Sequence, residues 1–224
     1  MNQEEFGVKE NKMAEDILKG IKESVIAGNA PKTKELVQKA VNDKVAVEKI
    51  LNEGLIGGMM IVGTKFKNNE FYVPEVLIAA RAMHAGMGIM EPLIAQAGIK
   101  PVAKVAIGTV KGDLHDIGKN LVVMMWKGAG FAVEDLGIDV PPDKFVDAAK
   151  GGVSVIGLSA LLTTTMVSMK DVIEALKAAG VRDKVKIIIG GAPVTQSYAD
   201  EIGADAYAAD AATAVDKVKE VLKI

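Results

Sequence analysis

Gly112-Asp113-Leu114-His115-Asp116-Ile117-Gly118-Lys119-Asn120 is the stretch whose reading decides the fold. Before it runs Val105-Ala106-Ile107-Gly108-Thr109-Val110, apolar enough for a strand buried on both faces. After it, Leu121-Val122-Val123-Met124-Met125 starts a helix. Strand, loop and helix in that order form the repeating unit of an α/β sheet, where ligands bind outside the carboxyl ends of the strands. The loop holds one of the chain's two histidines, set between two aspartates.

Towards the C-terminus the unit repeats. Apolar runs at 104–110, 131–136, 153–159, 185–189 and a short 204–207 read as strands. Helices are expected at 117–129, 142–150, 166–179, 195–202 and 211–222. Alternating apolar strands and helices give a parallel sheet covered on both faces. Five of them predict a flavodoxin/Rossmann-like, doubly wound domain.

Towards the N-terminus the periodicity changes to that of helices. Met13, Ile17, Ile21 and Val25 form one stripe, ended by Gly28-Asn29. Pro31 suits a first helical turn, and Leu36, Val37, Ala40 and Val41 form the second stripe. Segment 45–66 is interrupted by Gly54, Gly57 and Gly58, which predicts two helical pieces or a close helix–helix contact. A turn at Lys67-Asn68-Asn69-Glu70 leads to a helix over 73–97, with Val76, Leu77, Ala80, Met83, Met87 and Met90 apolar and Pro92 a potential kink. The break at Gly98-Ile99-Lys100-Pro101 separates a four-helix bundle, 1–98, from the α/β domain, 99–224. The charged first dozen residues read as a mobile tail.

Composition narrows the chemistry. Of 224 residues, 50% are hydrophobic and 25% charged, with a net charge of −2. No basic stretch suits a nucleic acid, and no apolar run is long enough for a membrane span. The polar, acidic N-terminus does not resemble a signal peptide, so a cytoplasmic protein is expected. Without cysteine there is no disulfide, thiolate metal site or Cys nucleophile. Two histidines, His84 and His115, are too few for most zinc sites, whereas a metal carried in an organic ring needs a single protein ligand.

Three loops fall at strand carboxyl ends and can therefore meet around one ligand. They are the 112–120 loop, Ser159-Ala160-Leu161-Leu162-Thr163-Thr164-Thr165 and Gly190-Gly191-Ala192-Pro193. The paired glycines are expected to let a flat group approach the backbone. Gly-x-Gly-x-x-Gly and the Walker phosphate loop are both absent, and Ser159 has no nucleophile-elbow context. Asp113 and Asp116 are both candidate N-caps, Asp116 the better of the two and also a candidate cofactor contact. His84 and the Met59-Met60 and Met83/Met87/Met90 groups read as bundle residues, with a cofactor-facing share of the methionines open. Glu53 reads as helix surface, with a place near a cofactor as its alternative. Trp126, Tyr72, Tyr198 and Tyr207 have no assignable task.

Asp113-x-His115-x-x-Gly118, followed by Ser159-x-Leu161 and then Gly190-Gly191, resembles the three-part cobalamin-binding signature, in spacing as well as residue type. Phe66 and Phe71-Tyr72-Val73-Pro74-Glu75-Val76 are similar to the helical cap of cobalamin-dependent methionine synthase. Length and architecture look most like the free-standing corrinoid proteins of methyltransferase systems acting on methylamines, methanol or methoxy-aromatics. The resemblance implies a methyl carrier, a component of a multi-part methyltransferase rather than a complete enzyme. It would accept a methyl group on Co(I) from a substrate:corrinoid methyltransferase and present methyl-Co(III) to a second one using tetrahydrofolate or coenzyme M. A reductive activating protein would be a further partner.

By the same resemblance, cobalamin, as methylcobalamin or hydroxocobalamin, is the cofactor, with His115 the lower axial ligand of its cobalt. Asp113 would hold the other imidazole nitrogen, as carboxylates do behind metal-bound histidines. A hydroxyl completes this relay in methionine synthase; Thr165 occupies that position with different reach and rotamers. Gly112, Leu114, Asp116, Ser159, Leu161, Thr163, Gly190, Gly191 and Ala211 would surround the cofactor, and Phe66 and Val73 would cover its upper face. An imidazole ordinarily titrates near neutral pH, so ligation could couple to proton uptake. A cobalamin-binding sensor and the small subunit of an adenosylcobalamin mutase are the alternatives. The sensor would need an output segment, and the mutase subunits lack the helical cap.

Overall fold

A computed structural model describes the backbone over residues 3–224 and side chains from residue 12. The chain divides into two compact units, Met1–Lys100 and Pro101–Ile224.

The first unit is helical. It contains α1 (Gln3–Ile26), α2 (Ala30–Asn42), a short α3 (Val47–Lys49), a π-helical stretch at Ile50–Ile56, α4 (Gly57–Lys67) and α5 (Val73–Gln96). The mobile-tail reading falls largely outside the described side chains, although the α1 backbone extends to Gln3. Gly28, at φ +67°, ends α1, and Asn29 Oδ1 caps α2 by accepting from Lys32 N at 3.1 Å. Ile17, Ile21 and Val25 are buried as their spacing predicts, but Met13 and Leu77 are exposed. Each lies at the margin of its helix's apolar stripe, where a wide stripe meets solvent. Met59, Met83 and Met90 are buried core, and His84 and Glu53 lie on the surface.

The interrupting glycines permit close helix contact. A Cβ on Gly54 would sit 3.0 Å from Ile21, one on Gly58 2.8 Å from Val25, and one on Gly86 2.7 Å from Leu55. The π-helical stretch was not foreseen, because a one-residue bulge inside a helix leaves no distinctive composition. Pro92 lies within α5, which continues past it to Gln96.

The second unit comprises β1 (Lys104–Val110), α6 (Ile117–Gly128), β2 (Ala132–Val140), α7 (Pro142–Lys150), β3 (Val155–Ser159), α8 (Thr163–Ala178), β4 (Lys186–Gly190), α9 (Gln196–Ile202), β5 (Ala206–Ala208) and α10 (Ala211–Leu222). All pairings are parallel, in the order β2-β1-β3-β4-β5, so the sheet is doubly wound with its switch point between β1 and β3. Residues of α7, α8 and α9 form one core with Ile156, Leu158, Ile187 and Ile189. On the other face Gly157 makes room for Trp126, which is buried with its Nε1 unpaired among the described residues; a Cβ at 157 would lie 2.8 Å from the indole. Thr163–Thr165 belong to the first turn of α8, not to the preceding loop as the sequence suggested.

Candidate functional site

Sheet register assembles the site. Thr109 pairs with Ser159, Ser159 with Gly190, and Gly190 with Ala208, so residues from four strands form one row at the carboxyl edge. The 112–120 loop and the starts of α8 and α10 rise beside this row.

Asp113 is the hub. It is fully buried and every contact to its carboxylate comes from a donor. Oδ1 accepts from His115 N at 3.0 Å and lies 2.7 Å from His115 Nδ1. Oδ2 accepts from Leu161 N at 2.7 Å and, at a longer 3.4 Å, from Leu162 N. The Thr165 hydroxyl lies 2.7 Å from Oδ2 and 2.9 Å from the Leu162 carbonyl; it has one proton, and the carboxylate is the stronger acceptor. Burial pushes the Asp113 pKa up, but the Thr165 hydroxyl, the His115 and Leu161 N–H groups and the His115 ring outweigh it. They hold the carboxyl well below the usual range.

That anion sets the His115 tautomer. A carboxylate only accepts, so Nδ1 carries the proton and the neutral ring presents a lone pair at Nε2. The side chain is 50% exposed, and no described residue hydrogen-bonds Nε2. Thr109 Oγ1 closes the turn behind the ring by donating to the His115 carbonyl at 2.9 Å.

Around His115 the exposed surface is unusually apolar. Leu114, Ile117, Leu161 and Leu162 are all exposed, Ile117 by 73%. Gly118 has an α-helical backbone and open space where a Cβ would stand, so nothing in the protein requires glycine there. No group of three His, Cys, Asp or Glu side chains able to cage a metal occurs among the described residues. A single outward imidazole nitrogen, an apolar rim and a bare Cα suit a large flat ring carrying its own metal.

One expectation gains a second ground and one is corrected. A Cβ on Gly191, at φ +132°, would sit 1.8 Å from the Ala160 carbonyl oxygen, and one on Gly190 3.0 Å from that of Ala208. Gly191 is thus demanded by the chain's own backbone, and Gly190 is held tightly against it, before any ligand approaches. Asp116 stands at the N-cap of α6, but its side chain makes no capping bond and accepts instead from Asn120 Nδ2 at 3.0 Å.

The remaining candidates are spread more widely. The Ser159 hydroxyl ends β3 half-buried, and Thr163 is exposed at the start of α8. Gly112, at φ +84°, opens the loop, and Ala211 opens α10 beside the Asp210 cap. Phe66 and Val73 belong to the helical unit, half-buried at the end of α4 and the start of α5. Tyr72 N donates to Glu75 at the head of α5, and the Tyr198 hydroxyl anchors the first turn of α8 through the Met166 carbonyl at 2.7 Å.

Thr109, Asp135, Asp139 and Lys119 went unread, although each touches the loop or its supports. Lys119, between Gly118 and Asn120, carries the signal: a lysine on the inner face of a helix needs an acidic partner.

Residues 103–218 match the B12 binding domain family, and residues 17–91 match a second B12 binding domain family. Dimethylamine corrinoid protein 3 of Methanosarcina acetivorans is 44% identical, over 93% of this chain and 98% of its own length. A cobalamin-binding protein crystal structure from Desulfitobacterium hafniense is 33% identical with a TM-score of 0.75, covering 91% of this chain and 97% of that one. The methanol:cobalamin methyltransferase complex of Methanosarcina barkeri contains a chain that is 26% identical, with a TM-score of 0.83 over 93% of this chain and 80% of that one.

Proposed function

Since the chain belongs to the B12-binding family of corrinoid proteins that serve methyltransferase systems, we propose that it is a methyl carrier between two methyltransferases. When bound, the corrinoid supplies a cobalt centre able to take up and give back a methyl group. The protein's work is to hold that group and control access to it.

The observation that supports this reading most is the pairing of buried Asp113 with half-exposed His115. Nε2 of His115 would be the atom that holds the cobalt. Asp113 fixes its tautomer and, as an anion, makes the imidazole a better donor. Thr165 and the Leu161 N–H keep Asp113 ionised, so its carboxylate remains an acceptor for the imidazole Nδ1–H. Leu114, Ile117, Leu161 and Leu162 are exposed apolar side chains that would shield a bound ring's edge from water, and Gly118 would leave space for it. Gly112 and Asp116 shape the loop. Ser159 and Thr163 offer hydroxyls to the cofactor's nucleotide tail, beside the small residues Gly190, Gly191 and Ala211.

On this reading residues 1–98 are the cap unit, to which Phe66 and Val73 belong, and residues 99–224 hold the cofactor. A helical unit matched over residues 17–91 argues against the mutase alternative. The first partner is a substrate-specific methyltransferase, which selects the methyl donor. The acceptor enzyme uses tetrahydrofolate or coenzyme M, and a reductive activator restores the cobalt. Among the described residues no helix is long and apolar enough to cross a membrane.

The test is spectral. The chain reconstituted with hydroxocobalamin should show a tightly bound, base-off, His-ligated chromophore, and His115→Ala should lose the ligation signature. An unchanged spectrum in that variant refutes the assignment.

A further inference from the structure

The loop that carries His115 is braced from β2 by a residue outside the binding signature. β2 runs out of step with β1 twice: Asp135 pairs with Ile107 but Gly137 with Gly108, and Val140 with Val110. Each irregularity gives β2 one residue more than its partner, and each is marked by a positive φ, Gly137 at +90° and Asp139 at +52°.

Asp135 pins the first bulge. Its Oδ1 accepts from Gly137 N at 3.0 Å, and both its oxygens bind Lys119 Nζ, at 2.7 and 2.8 Å. Lys119 is 3% exposed and also donates to Asn120 Oδ1, so β2 grips the loop's exit at the head of α6. The second bulge aims Asp139 at the loop's entrance. Its Oδ1 accepts from Gly112 N at 2.7 Å, while its own N–H donates to the Asp113 carbonyl at 3.0 Å.

We propose that Asp139 is a positioning residue for His115. It clamps the Gly112–Asp113 turn through side chain and backbone together, and so sets where the Asp113 carboxylate and the imidazole behind it stand. Bulges that redirect a strand beside a functional loop commonly have such a use. The role rests on the reading of His115 as cobalt ligand and extends it to a residue outside the binding signature.

Two variants separate the clamp from the backbone. Asp139→Gly removes the acceptor but keeps the left-handed backbone; Asp139→Asn keeps both. The full chain, reconstituted with hydroxocobalamin and reduced to cob(II)alamin, is read by the nitrogen splitting of its electron paramagnetic resonance spectrum. Amide exchange at Gly112 and His115 is read in the cofactor-free protein. For Asp139→Gly the expected result is a ratio of His-ligated to free cob(II)alamin lowered about tenfold, and exchange at the two amides raised by a similar factor, as loss of a bond to a charged acceptor implies. Asp139→Asn should stay within about threefold of the parent on both readings. Parent-like ligation and exchange in Asp139→Gly overturn the proposal, as does equal impairment of the two variants. If the parent itself shows no nitrogen splitting, the ligand reading fails, while amide exchange still decides the clamp.

Discussion

Asp113→Asn probes the centre of the site without changing its volume. All the groups facing Asp113 are donors: His115 N, His115 Nδ1, Leu161 N, Leu162 N and the Thr165 hydroxyl. An amide has one oxygen and one donor group, so half of it must face donors. With its nitrogen towards His115, the ring has to move its proton from Nδ1 to Nε2, and the His115 N–H is orphaned. With its nitrogen towards Leu161, Thr165 can turn its proton to the Leu162 carbonyl, 2.9 Å away, but the Leu161 N–H is orphaned. A buried orphan donor costs about 1–3 kcal/mol, and turning charge-assisted bonds into neutral ones about 1–2 kcal/mol more. The expected loss is therefore about 2–5 kcal/mol at pH 7, or roughly 10 °C in Tm.

Urea unfolding of the cofactor-free chain measures this loss. The pH dependence has a definite sign. The folded Asp113 pKa is depressed, so its stabilisation is present above the ordinary carboxylate value of about 3.9 and is lost as pH falls towards the folded value. The gap between parent and variant should be full at pH 7 and narrow below about pH 4. A loss under about 1 kcal/mol at pH 7, or a gap that widens on acidification, would refute the reasoning. Ligation by His115 should also be weaker in the variant, and equal ligation in both proteins would count against the pairing.

Four further outcomes follow from the geometry. Gly118→Ala should leave stability unchanged or raise it by about 0.5–1 kcal/mol while weakening corrinoid binding. Gly191→Ala, with its Cβ driven into the Ala160 carbonyl, should cost about 3 kcal/mol or more; denaturation and a cofactor titration distinguish the two glycines. Thr165→Val removes the hydroxyl at near-constant volume and should cost about 1–2 kcal/mol in urea unfolding, whereas Thr165→Ser should stay within about 0.5 kcal/mol of the parent. Gly157→Ala should destabilise by about 1–3 kcal/mol through its clash with Trp126, and adding Trp126→Phe should recover part of that loss in a double-mutant cycle.

Much of the α/β unit could be read from local pattern. The bounds of β1, α7 and α10 agree with the sequence reading to the residue, because apolar runs there end abruptly at Gly, Pro or Asp. The start of α8 was misplaced by three residues: three threonines read as loop, yet they form a first helical turn because Thr165 finds its partner in Asp113, far away in the chain. The Trp126 and Tyr198 roles were equally hidden, since each depends on one distant partner, Gly157 and the Met166 carbonyl.

By itself the sequence determined the strand–helix alternation, the helical first unit, the three carboxyl-edge loops and His115 as the residue to watch. Periodicity, Gly and Pro punctuation and scarcity of alternative ligands act within a few residues or by simple count. Tertiary structure alone decided which nitrogen of His115 points outward, why Gly191 is compulsory, and that a twice-bulged β2 holds the loop at both ends. Each of these rests on hydrogen bonds or steric contacts between groups on different strands and helices. Their geometry exists only once the register of the sheet has brought the row through Thr109, Ser159 and Gly190 into line.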